Sequence, residues 1–289
     1  MSGDERPNWY RGALGHEPEL GTVDSDGVAI AYRAWGTSRA GTSDLLLVHG
    51  GAAHARWWDH LAPLLAADRR VVAMDLAGHG DSGHRQNYSM DAWADDLTAV
   101  LAGAGLGERP VLAGHSLGGM VSTILAARGT PGLAGLIVVD SPIEPEGPGS
   151  RAEADSPSFG NARVYPTRDE AIARFRPVPP QAMIPYIAHD VASASLREVD
   201  GGWSWKFDPS FVTMTGRLPR TLDGLPCRVV LLAGQRGILS DAARRAADES
   251  SEVAVVEIAD AGHAMMLDQP LALLAALRGV LAGWATSDR

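Results

Sequence analysis

Sulfur chemistry is almost closed to this chain, which has one cysteine, Cys227, in 289 residues. One thiol cannot close an internal disulfide or build a cysteine metal cage, and it suits a reducing cytoplasm. It stands at the start of an apolar run, the usual setting of a buried, unreactive thiol. Lysine is equally scarce. Lys206 is the only one, and 25 basic residues face 35 acidic ones for a net charge of −10. A nucleic-acid partner selects for a basic face, so that class is disfavoured. No run approaches the roughly twenty apolar residues that span a bilayer. Residues 1–15 lack the apolar centre of a secretory leader. The expectation is a cytoplasmic protein with neither nucleic acid nor membrane as partner.

What is present is ordinary for a globular chain: 45% hydrophobic and 21% charged residues. The length allows one large α/β domain, with or without an insert. Residues 1–18 carry glycine, proline and charge without periodicity and read as a loose lead-in. Glu19 to Val23 and Val28 to Trp35 read as strands joined by a turn at Asp24–Gly27. Asp44–His49, Arg70–Asp75, Arg109–Ala113 and Leu133–Asp140 are short apolar runs of the kind buried on both faces of a parallel sheet. Trp57–Ala67 and Asp91–Leu101 have helical spacing between them. The alternation predicts a mostly parallel twisted sheet flanked by helices.

The alternation stops at Ser141. Up to about Thr221 the chain is rich in proline, glycine and charge, with aromatics at Phe159, Tyr165, Phe175, Tyr186, Trp203, Trp205, Phe207 and Phe211. Only Arg168–Phe175 and Gln181–Ala194 suggest short helices. A stretch of about eighty residues is too long for a loop, and its aromatics argue against a disordered linker. A helical cap over the sheet edge accounts for both. The predicted organisation is a first core part over 1–140, a cap insert over 141–221 and a second core part over 222–289. The second part alternates again: Cys227–Ala233 strand, Ser240–Asp248 helix, Glu252–Ile258 strand, Leu271–Trp284 helix.

One stretch organises the chemistry. In Gly114-His-Ser116-Leu-Gly118 a serine stands between an apolar strand and a helical run through Met120, Val121, Ile124 and Leu125. Small residues on either side allow the sharp turn that projects the hydroxyl over the sheet edge, at the N-terminus of a helix. A serine hydroxyl becomes a useful nucleophile only beside a base. His263, in Asp260-Ala-Gly-His263-Ala, lies in the loop between the last strand and last helix, which emerges at the same carboxyl edge. His115, within the turn, reads as a packing residue. A carboxylate should fix the imidazole tautomer. The loop after Cys227–Ala233 holds no acid before Asp241, which reads as a helix cap. Asp140 ends a buried strand at the active edge and is the preferred third member. Asp260 is too close to the histidine in sequence to orient it easily.

The oxyanion formed on attack wants donors already in place. The backbone N–H of Leu117 supplies one. Gly51, in His49-Gly-Gly-Ala-Ala-His54, is favoured for the other, with Ala52 next. Ala52, His54, Trp57, Trp58 and the insert's Trp203 are candidate pocket walls. The loop Asp75–Gly83 is glycine-rich, yet its spacing fits neither a P-loop nor a dinucleotide fingerprint. It reads as a structural turn, and no metal or cofactor is expected.

Taken in order, Leu47-Val-His-Gly-Gly51, Met74-Asp-Leu-Ala-Gly-His-Gly-Asp-Ser82, Gly114-His-Ser-Leu-Gly118 and Ala261-Gly-His263 resemble the α/β-hydrolase fold superfamily over about residues 20–285. The resemblance implies a cofactor-free serine hydrolase acting on a carboxylic ester of a small molecule. Thioester, lactone or carbon–carbon cleavage by the same residues stays open, as does a lyase, cyclase or ligand receptor on the same fold. Most members of the superfamily place the acid where this chain has Gly237. A minority place it at the position of Asp140. A serine nucleophile also sets the chain apart from the haloalkane dehalogenase and epoxide hydrolase relatives, which use a carboxylate there.

Overall fold

Alternate residues of each central strand enter different cores. Leu46, Val48, Leu112, Leu136, Val138 and Leu231 face one side of the sheet, and Leu45, Leu47, Val111, Ile137, Val139 and Leu232 the other. Strands apolar on both faces must be covered twice, and the chain supplies helices for each side. The computed structural model describes residues 6–130, 132–143, 163–216, 222–239 and 241–287.

In chain order, α1 (Asn8–Leu14) leads into the hairpin β1 (Glu19–Ser25) and β2 (Val28–Trp35). Then come β3 (Leu45–Val48), a 3₁₀ turn at Ala55–Trp58, α2 (Ala62–Leu65), β4 (Val71–Met74) and α3 (Met90–Gly103). The elbow follows as β5 (Val111–His115) and α4 (Leu117–Ala127), and β6 (Gly135–Val139) closes the first half. Next are α5 (Arg168–Ala173), α6 (Pro185–Ala194), the hairpin β7 (Leu196–Val199) and β8 (Gly202–Trp205), and a 3₁₀ turn at Pro209–Thr213. The chain ends with β9 (Arg228–Arg236), α7 (Asp241–Glu249), β10 (Val253–Gly262), α8 (Met265–Asp268) and α9 (Pro270–Ser287).

The eight-stranded sheet has the order β1-β2-β4-β3-β5-β6-β9-β10. β1–β2 and β2–β4 are antiparallel and every later pairing is parallel. Parallel neighbours put the ends of β3, β5, β6, β9 and β10 at one edge, which is where the candidate residues lie. Trp93, Leu97, Val121 and Leu125 of α3 and α4 seal one core. Tyr10, Leu65, Leu273, Leu277 and Leu281 of α1, α2 and α9 seal the other. Each fully buried Leu, Val or Ile among them contributes about 1.5–3 kcal/mol. Ser89 caps α3 by accepting from the Ala92 N–H at 3.0 Å, a bond worth about 1 kcal/mol.

Several expectations are corrected. From Arg6 onward the lead-in is not loose: α1 buries Tyr10, whose hydroxyl donates to Asp190 at 3.0 Å while Arg6 binds the same carboxylate at 2.7 Å. Trp57–Ala67 is not one helix but a 3₁₀ turn followed by four residues of α2, because Pro63 removes a backbone donor. The segment between β6 and β9 carries a β-hairpin as well as its two helices. Phe159, Thr221 and Ser240 lie outside the described residues. Cys227 is partly exposed, with its thiol pushed up by burial. No helix among the described residues is long and apolar enough to cross a membrane.

Candidate active site

Ser116 stands between β5 and α4 at φ 52° and ψ −118°, a left-handed backbone that an L-residue adopts only at a cost of order 1–3 kcal/mol. Its neighbours make the turn possible. A Cβ on Gly114 would lie 2.4 Å from the Gly118 carbonyl oxygen, and one on Gly118 would lie 2.5 Å from that of His49. Leu117 is the first residue of α4, so no earlier turn of that helix accepts its N–H. Ala52, at φ 55°, and Asp140, at φ 42°, share the strained region. Among the described residues, three of the five non-glycine residues with positive φ therefore cluster at this edge.

Asp140 and His263 meet across 123 residues of sequence. The His263 Nδ1 donates to Asp140 Oδ2 at 2.8 Å, and both side chains are buried. The same carboxylate accepts the Gly234 N–H at 3.1 Å and the Ile238 N–H at 2.8 Å. Burial opposes its charge, yet the bonds from His263, Ile238 and Gly234 outweigh that and hold the carboxyl below the usual carboxylate range. Because Asp140 can only accept, Nδ1 carries the proton and Nε2 is the basic nitrogen of His263. Asp241, the alternative acid, is exposed at the start of α7. Asp260 is exposed too, its N–H donating to Gln235.

His115 is more than packing. Its Nε2 donates to the His263 carbonyl oxygen at 3.0 Å, and the two rings lie 4.6 Å apart. Burial, with the His263 ring adjacent, pushes its pKa down to about 3, so it stays neutral. His49 steadies the facing loop. Its Nδ1 donates to the Gly50 carbonyl at 2.7 Å and its Nε2 accepts from the Leu76 N–H at 3.0 Å. A Cβ on Gly50 would lie 3.1 Å from that of Ser116, and one on Gly51 would lie 3.9 Å from Leu117 Cδ2 and 3.0 Å from Phe211 Cε2. The Gly50–Ala52 loop thus lies against the elbow, with the Phe211 ring over it. Neither His49 nor Phe211 stood out in the sequence, where the first reads as the end of an apolar strand and the second as one aromatic among several.

The candidate pocket walls separate. Trp58 is fully buried in the α1–α2–α9 core and is not a wall. Its indole is a core filler, which local sequence does not distinguish from a lining residue. Trp57 is nearly buried and packs edge-on against Phe175 at 5.9 Å. Trp203 lies on the β7–β8 hairpin with the Arg168 guanidinium 5.8 Å over its ring. His54 is buried, with Nε2 2.7 Å from Ser195 Oγ. This second Ser–His contact is no nucleophile pair. The Ser195 hydroxyl, just past the end of α6, gives its hydrogen to the Val191 carbonyl of that helix at 2.7 Å, so His54 must be the donor. Burial lowers the His54 pKa to about 3. An open polar cleft of about 390 Å³ walled by Tyr10, Arg33, Trp35, Asp59 and Asp190 lies elsewhere, with no elbow residue in its lining.

A strained serine between strand and helix, at the edge of a parallel sheet where a buried His–carboxylate pair also lies, defines the hydrolase class. The comparisons agree. The alpha/beta hydrolase family profile matches residues 45–277. An esterase of Mycobacterium tuberculosis is 30% identical over 286 residues, covering 93% of this chain and 91% of its own. A pimeloyl-[acyl-carrier protein] methyl ester esterase of Edwardsiella ictaluri is 40% identical over 107 residues, 37% of this chain and 40% of its own. Among solved structures, a hypothetical protein of Pseudomonas aeruginosa superposes with a TM-score of 0.76 at 26% identity, over 92% of this chain and 99% of its own. The chain belongs to the alpha/beta hydrolase family and is a hydrolase.

Proposed function

We propose that this hydrolase cleaves a carboxylic ester of a small molecule through an acyl-enzyme on Ser116. The observation that carries the reading is the buried Asp140–His263 bond of 2.8 Å, with the imidazole packed 4.6 Å from the ring of His115, the residue before the strained elbow serine. Ser116 Oγ attacks the ester carbonyl and passes its proton to His263 Nε2. Asp140 stabilises the imidazolium and holds its orientation. The carbonyl oxygen, now negative, takes hydrogen bonds from the Leu117 and Gly51 N–H groups, aligned before the reaction starts. As the tetrahedral species collapses, the carbon–oxygen bond to the alcohol breaks and the imidazolium returns its proton to that leaving oxygen. Water, deprotonated by the same imidazole, attacks the acyl-serine and releases the acid. No cofactor takes part in this scheme.

Residues 141–221 are the proposed cap, and their described part reaches the site through Phe211. The esterase names of the relatives support an ester bond, and the lone cysteine fits the proposed cytoplasmic setting. Turnover of a panel of esters, thioesters and lactones, compared with Ser116→Ala, tests the reading. Hydrolysis of simple esters that disappears with the hydroxyl supports it. Preference for thioester or lactone would keep the machinery and change the substrate class.

A further inference from the structure

The loop that carries His263 has four of its backbone groups held by three side chains from outside it. The Gly262 N–H donates to Asp268 Oδ2 at 2.7 Å. His115 holds the His263 carbonyl at 3.0 Å. Between β6 and β9 the insert supplies the third partner, Gln181, which takes both backbone groups of Ala264. Its Oε1 accepts the Ala264 N–H at 2.7 Å and its Nε2 donates to the Ala264 carbonyl at 3.2 Å. The assignment of the amide is forced, because only the oxygen can accept the N–H and only the nitrogen can donate to the carbonyl. Three residues on, the Ile184 N–H donates to the Leu267 carbonyl at 2.8 Å, so the insert lies along the loop and α8 together.

We infer that Gln181 is a positioning residue for the base: it fixes the residue after His263 at both its backbone groups, so the insert sets the direction of the imidazole. A planar amide paired with one residue's N–H and C=O, which belong to successive peptide groups, restrains rotation about that residue much as a rung of a β-ladder does. A Cβ on Gly262 would lie 2.9 Å from Gln181 Cδ, so the residue before His263 also packs on the amide. From the side-chain end the imidazole is oriented by its Nδ1 bond to Asp140 and by the His115 ring 4.6 Å away. The backbone end is set by Gln181, His115 and Asp268, together with the Leu267 N–H, which shares the Ala264 carbonyl at 2.8 Å. Misplacing a reacting group by about 1 Å costs about 100-fold in rate, so a loosened loop should appear in kcat. Substrate binding should change little, because Gln181 acts through Ala264.

This inference rests on His263 being the base of the proposed hydrolase, and the experiment separates the two claims. The full-length wild type, Gln181→Ala, Gln181→Glu and the insert control Arg168→Ala are compared in ester turnover and in the NMR signal of the His263 Nδ1 proton. Gln181→Ala should lower kcat by about 10- to 100-fold with KM within about twofold, and should shift or broaden that proton signal. Gln181→Glu keeps the acceptor for the Ala264 N–H and loses the donor, so it should fall between. Arg168→Ala should leave both readouts at wild-type values. A wild type with no turnover and no Ser116 labelling would sink the hydrolase reading, while the proton signal would still test the positioning. An active wild type with kcat and proton signal unmoved in both Gln181 variants would overturn the inference, even if their stability fell. A change in KM alone would also overturn it, since that marks a substrate contact. If Gln181→Ala does not fold, Gln181→Glu decides by the same two readouts.

Discussion

Gly237 and Asp140 compete for one place: a Cβ on Gly237 would lie 2.2 Å from Asp140 Oδ1. The carboxylate from the end of β6 fills the space that any side chain at 237 would enter, and takes the His263 bond at 2.8 Å. With Asp140 as the proposed acid, the loop after β9 can do without one. Asp140→Asn should reduce kcat by about 10⁴, the size seen when a triad imidazole is left in the wrong tautomer. Gly237→Asp alone should be at least as damaging, through collision of two carboxylates. The double change Asp140→Gly, Gly237→Asp should recover part of the lost kcat, because the acid then reaches the same imidazole from the neighbouring strand. Additive losses in the double variant would show that position 237 does not point at His263.

Phe211 should set how large an acyl or alkyl group fits beside the oxyanion donors. Its ring lies against Gly51, and Asp208 stiffens its 3₁₀ turn by accepting the Ser210 N–H at 2.9 Å. Phe211→Leu opens this wall with less damage to the core than alanine would do. The kcat/KM profile over p-nitrophenyl esters of increasing length should move toward longer chains, by about fourfold for each extra methylene admitted, the equivalent of 0.8 kcal/mol. An unchanged profile would place the ring away from the substrate.

Stability should fall as pH drops from 7.5 to 6. Burial pushes His54 and His115 down to about 3 and His60 and His79 to about 4, and lowers His49 well below its ordinary value. A histidine depressed in the folded state contributes stability that is complete above the unfolded value near 6.5 and is lost as pH falls toward the folded one. Asp75 works the other way. Burial raises it to about 6, so its contribution is present below 3.8 and is lost as pH rises through 6. Asp59, Asp96 and Asp268 are raised by burial in the same sense. Five histidines against one half-titrated Asp75 give an uptake of about three protons on unfolding at pH 6. Urea unfolding at pH 7.5 and pH 6 measures this, and equal free energies at the two values would contradict it.

The elbow serine and the proposed base and acid, His263 and Asp140, can be picked out as candidates in the sequence because each is announced locally. Gly114 and Gly118 mark the turn, Gly262 marks the loop before the base, and Asp140 ends an apolar strand. The partners of those residues carry no such mark. His115 reaches the His263 carbonyl across 148 residues and Gln181 reaches Ala264 across 83. Such side-chain-to-backbone bonds follow no period. The same holds for α1, which is fixed by Asp190 from far along the chain, and for the β7–β8 hairpin, where Trp203 pairs with Tyr165. Trp58 shows the limit most simply. Whether an indole fills a core or lines a pocket depends on what surrounds it in three dimensions.

The most direct measurement is to treat the protein with a fluorophosphonate and locate the adduct by mass spectrometry. The expected result is one phosphonyl group per chain, on Ser116. It should be absent in Ser116→Ala and formed orders of magnitude more slowly in His263→Ala, with Ser195 untouched. An adduct on Ser195 or elsewhere with Ser116 unmodified, or labelling of Ser116 at the same rate without the His263 imidazole, would contradict the proposed site.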